Sequence, residues 1–144
     1  MKRLLLKWKV KNIICKKNPF KGIMEKDIIE FSLNVLNQVR VFHWMTTSYA
    51  QHKALGDLYD ALNKNIDTLV ETYMGNMGLK ERRPPIFQIQ TVASSDLAAL
   101  PPFLKQAYNK LKGFRNKIKI PEIQNVVDEL SSNINQTVYL LKLS

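Results

Sequence analysis

One cysteine, Cys15, stands in 144 residues. That excludes an intrachain disulfide and a thiolate metal cluster. No apolar run approaches the ~20 residues that cross a bilayer. The opening stretch, MKRLLLKWKVKNIICKK, interrupts each short apolar run with a cation and lacks a small-residue cleavage site. It therefore reads as a poor signal peptide. Glycine is scarce, at five residues, while apolar residues make up 45%. This balance fits one helical domain with a substantial core. Zinc-finger spacing, a glycine-rich phosphate loop and an RNP-like aromatic motif are all missing, so nothing here reads bases.

Acid is missing from one end. Residues 1–23 carry Lys2, Arg3, Lys7, Lys9, Lys11, Lys16, Lys17 and Lys21 and no acid, within a chain of net charge +10. Residues 24–144 are nearly balanced, with 14 basic and 12 acidic side chains. The sequence thus divides into a basic arm, 1–23, and a domain, 24–144. The arm is either a solvated tail or a nonspecific binder of nucleic acid or an anionic membrane surface. A start at Met24 is a third reading.

What is present is helical spacing. Ile28, Ile29, Val35, Leu36, Val39 and Phe42 predict a first helix from Met24 to about Met45. Ser48 and Gln51 form an S-x-x-Q capping box. It opens a second helix near Tyr49, whose stripe is Leu55, Tyr59, Leu62, Ile66, Leu69, Val70 and Tyr73. Gly75 and Gly78 are its expected stop. Residues 76–101 have no long period, apart from a short helical turn near Asp96–Leu100. Phe103, Leu104, Ala107, Leu111, Phe114 and Ile118 mark a third helix after Pro101-Pro102. Pro121 opens a fourth, striped by Ile123, Val126, Val127, Leu130, Ile134, Val138 and Leu141. Two tight hairpins joined by one long connection predict an all-α, four-helix bundle with ferritin-like topology.

The only two histidines, His43 and His52, flank the first bend. Two imidazoles there are half of a transition-metal site, or else packed structural residues. The second helix adds the i, i+4 acids Asp67 and Glu71. Asp67 lies ~22 Å along the helix from His52, so one chain cannot join the acids to the histidines. A two-fold antiparallel dimer can. Asp128 and Glu129 fall off the fourth stripe and read as surface charges. Lys105, Lys110, Lys112, Arg115, Lys117 and Lys119 read mainly as cations toward the third helix's C-terminus.

The set His43-Trp44, His52, Asp67 and Glu71 resembles the Dps family of DNA-protecting mini-ferritins. The stretch SYAQHKALGDLYDALNKNIDTLVETYMG also resembles small viral and phage ferritin-like proteins of unknown function. The first resemblance implies an iron site at a two-fold interface, with His43 and His52 from one subunit and Asp67 and Glu71 from the other. It further implies iron(II) oxidation and homo-oligomers. The second suggests the host cytoplasm or a virion. Gly56 stands where the Dps pattern has an aspartate ligand, so weak binding and slow or absent oxidation are expected. The competing expectations are nonspecific nucleic-acid binding through Lys2, Arg3, Lys7, Lys9, Lys11, Lys16 and Lys17, and a structural bundle without chemistry.

Overall fold

In a computed structural model, the residues described are 23–76, 89 and 94–144, with side chains from Lys26 onward. The basic arm, Gly78 and most of the long connection lie outside them. The helical stripes become four helices: α1 (Ile23–Met45), α2 (Tyr49–Asn76), α3 (Leu100–Lys117) and α4 (Pro121–Leu141). No strand occurs among the described residues. Ile28, Val39, Phe42, Leu55, Leu104, Ile123, Leu130 and Ile134 are fully buried in one core that all four helices share.

Aromatic contacts fix the chain directions. Phe42, late in α1, meets Phe103, early in α3, with ring centroids 5.6 Å apart. Phe31, early in α1, meets Phe114, late in α3, at 5.8 Å. The two helices are therefore antiparallel. Leu140 and Leu143, at the end of α4, lie beside Tyr49 and Ala50, at the start of α2. The order is up, down, down, up. The connection between α2 and α3 must then travel the length of the bundle. α2 packs closely on α1 and α4, and α3 on α4, while α1 and α3 meet more loosely.

Local chemistry sets the ends. The capping box is half built. Ser48 Oγ accepts from the Gln51 backbone N–H at 3.4 Å, but the Gln51 side-chain carbonyl accepts from the Thr46 hydroxyl at 2.9 Å instead of returning to Ser48. α2 runs through Gly75 to Asn76. Before α3, Asp96 caps a 3-10 turn, Leu97–Ala99, by accepting from the Ala98 N–H. Pro101 and Pro102 fall inside the first turn of α3, where a helix needs no N–H partners. Asp128 is a surface charge with partners. It is only partly exposed and accepts from Arg115 Nε at 3.1 Å and Lys112 Nζ at 3.3 Å, tying α4 to α3. Burial opposes its ionisation, but the hydrogen bonds and charges of Arg115 and Lys112 outweigh that and hold the carboxyl below its ordinary 3.8.

Candidate metal-binding site at the histidine end

The bend between α1 and α2 brings His43 and His52 together. Their rings stack with centroids 3.8 Å apart and planes inclined at 24°. His43 Nδ1 lies 2.9 Å from the His52 carbonyl oxygen, and His52 Nδ1 lies 3.0 Å from the His43 carbonyl oxygen. A carbonyl oxygen only accepts, so each Nδ1 carries the hydrogen. In the neutral ring the lone pair is then on Nε2. This reciprocal clasp fixes the tautomer of both imidazoles as a metal-binding histidine requires.

The clasp sits tightly against Gly56. A β-carbon at that position would stand 3.1 Å from His43 Cε1 and 3.5 Å from His43 Nδ1. The His43 ring occupies the space that a side chain at 56 would need. One turn below, the Arg40 guanidinium donates to the Tyr59 hydroxyl, and its Cζ lies 4.5 Å from the centre of the Tyr59 ring. Arg40 was not singled out in the sequence, and Tyr59 only as part of the apolar stripe of α2. The available signal was spacing, since Arg40 is three residues before His43 and Tyr59 seven after His52. Trp44 is 68% exposed.

Geometry separates the expected ligands into two groups. His43 is half-buried and His52 exposed at the bend, whereas Asp67 and Glu71 are exposed far down α2. Among the described residues, no three His, Cys, Asp or Glu side chains gather where an ion could be held. The stack adds a constraint. An imidazole bonds in its own plane, and two nearly parallel planes aim past each other. One ion can be shared by both rings only if one ring turns out of the stack. Within one chain, the residues do not make a metal site. The basic residues Lys2, Arg3, Lys7, Lys9, Lys11, Lys16 and Lys17 lie outside the described residues. Of the α3 cations, Lys110 sits 4.6 Å from the centre of the Phe31 ring, and Lys112 and Arg115 hold Asp128.

Residues 43–141, from the first histidine to the end of α4, match a family of unknown function (DUF5856). The chain belongs to this family. The match includes the whole clasp and leaves out the basic arm and most of α1. A relative, an uncharacterized 14.6 kDa protein from the mobD–ri intergenic region of Enterobacteria phage T4, is 30% identical over 101 residues, 70% of this chain and 74% of the relative. No solved structure gives a significant match. Among the described residues, no helix is long and apolar enough to cross a membrane.

Proposed function

We propose that this protein is a ferritin-like metal binder whose site is completed by a second copy. The observation that carries the reading is the clasp, which holds both histidines by Nδ1 and leaves Nε2 as the lone-pair nitrogen. The order up, down, down, up, with one long connection, supports the ferritin-like assignment. His52, the more exposed ring, is the first ligand, and His43 joins when the stack opens. Asp67 and Glu71 of the second copy supply oxygen. A nitrogen and carboxylate set of this kind suits iron or another first-row divalent ion. The Dps-like aspartate position is Gly56, filled by the His43 ring, so the reading is binding and sequestration, with iron oxidation slow or absent. A phage-encoded relative fits action in the host cytoplasm or in a virion.

The test is a titration with Fe(II) under anaerobic conditions, and with Zn(II). His52→Ala and Glu71→Ala should each weaken binding by ~10-fold or more. An equal mixture of the two variants should recover part of it, because some mixed dimers keep one intact site. If both variants bind like the parent, or if a monomer binds as tightly as a dimer, the reading fails. Nonspecific nucleic-acid binding gains less from α3 than its charge suggests, because Lys110, Lys112 and Arg115 are engaged within the chain.

A further inference from the structure

The outward face of α2 carries six ionised residues: Lys53, Asp57, Asp60, Lys64, Asp67 and Glu71. All are exposed, while Leu55, Leu58, Leu62, Ile66, Leu69 and Tyr73 on the opposite face are buried. At about 100° per residue, Lys53, Asp60, Lys64 and Glu71 fall within ~40° of one line along the helix. Along that line the signs run plus, minus, plus, minus. The pattern is its own complement when reversed. Turned end for end, Lys53 faces Glu71 and Asp60 faces Lys64.

We propose that this face docks on the same face of a second copy, antiparallel, about a two-fold axis at the level of position 62. The proposal rests on the metal reading only in its need for two copies, and it names the surface that joins them. Both complementary pairs are symmetric about position 62. α2 runs from Tyr49 to Asn76, so its midpoint falls at the same place. The axis that pairs the charges therefore also overlaps the two helices along their whole length, ~42 Å. Two-fold symmetry doubles each contact, which makes four ion pairs across the interface. The remaining acids do not oppose it strongly. Asp57 and Asp67 of the second copy come level, but they sit ~80° apart around the helix, on opposite edges of the face. Within the chain, Asp57 is already paired with Lys53 at 3.2 Å. Among the described residues, Asp60, Lys64, Asp67 and Glu71 take part in no ion pair. At the end of the helix, Tyr49, 80% exposed, comes level with Gly75, where a β-carbon would meet nothing within 4 Å.

This register has a consequence for the ligands. Glu71 of the second copy comes level with Lys53, next to His52. Asp67 comes level with Asp57, next to Gly56 and the His43 ring above it. The separation that forbids a site within one chain is removed.

The test uses Asp60 and Lys64, which are outside the proposed ligand set. Dimerisation of the full chain is measured by sedimentation equilibrium at low salt with EDTA present. Lys64→Asp and Asp60→Lys should each weaken the dimer by ~10-fold or more, and the double swap in one chain should return it to within ~3-fold of the parent. Added salt should weaken the parent dimer. Thermal melting of each variant reports whether the fold is kept. The proposal is overturned if either single variant dimerises like the parent while still folded, if the swap fails to recover, or if the parent is a monomer at about 100 µM. A dimer indifferent to these charges, with metal binding still lost in His52→Ala, removes this interface alone. A dimer that follows the swap, with metal binding unchanged in His52→Ala and Glu71→Ala, removes the metal reading alone.

Discussion

α2 and α3 both present charge to solvent, and they use it differently. On α3, Lys110 lies over Phe31, and Lys112 and Arg115 close on Asp128 of α4. Its cations are partly neutralised inside the chain and help to hold the second hairpin together. On α2, charge stands apart from the core. Lys53 and Asp57 pair locally, and the other four ionised residues of the face stand outside the ion pairs formed among the described residues. A net charge of +10 is thus a poor guide to what the folded surface offers. One charged face is structural, and on the other only Lys53 and Asp57 form an ion pair among the described residues.

The comparison predicts a ranking of effects. Truncation beneath both faces should cost most. Phe42 is fully buried and edge-on to Phe103, so Phe42→Ala should lower unfolding stability by about 3–5 kcal/mol in denaturant melts. Removing the α3 clasp should cost less. Asp128→Ala leaves Lys112 and Arg115 without their carboxylate, but all three are more than a third exposed, so a loss of about 0.5–1 kcal/mol is expected. Monomer stability should respond least on α2, where Asp60→Asn should stay within about 0.5 kcal/mol of the parent. Equal losses in the last two variants would erase the difference between the faces.

Much of this architecture was legible in the sequence, because burial follows period. Ile28, Val35, Leu62, Leu104 and Ile123 fall on helical stripes, and all of them reach the core. Asp67 and Glu71 were legible as outward residues for the same reason. The clasp was not. It depends on two backbone carbonyls across a bend, and no side-chain pattern encodes a carbonyl. Gly56 reads in the sequence as a missing ligand, while the structure gives it a positive role as room for the His43 ring. Asp128 was legible as a surface charge, but its pairing was not, because its partners belong to another helix and the period of α4 says nothing about α3.

Three smaller effects sharpen the comparison. The Asp128 carboxyl is held below its ordinary 3.8 in the folded protein. Its contribution is therefore present above that value and is lost as the pH falls through the lower, folded one. Melting temperature should drop on the acid side of 3.8 in the parent, and Asp128→Asn should show a shallower drop over the same range. Releasing the α3 cations should also change binding. Asp128→Ala should hold duplex DNA more tightly than the parent at low salt, with a log–log salt slope steeper by at most about 2. An unchanged slope would mean that Lys112 and Arg115 stay unavailable to phosphate. The smallest effect is expected from Gly56→Ala. Better helix propensity, about 1 kcal/mol, is offset by a displaced His43 ring and one lost hydrogen bond of similar size. Net stability should hardly move, while the His43 Nδ1–H signal of the clasp should disappear from the proton NMR spectrum.

Gln38 has a consequence for the order of folding. Its buried side-chain amide donates to the Ser94 carbonyl and accepts from the Ser94 N–H, each at 2.7 Å, across 56 residues of chain. Ser94 Oγ then accepts from the Asp96 N–H, and Asp96 caps the turn that leads into α3. The first hairpin, closed by a three-residue bend, can form from neighbours alone. The point where the second hairpin begins is set by a contact that exists only once the first is in place. Gln38 thus acts as a ruler: it measures out the long connection and fixes the residue at which α3 may start, so a slip of one residue at that point breaks both bonds at once.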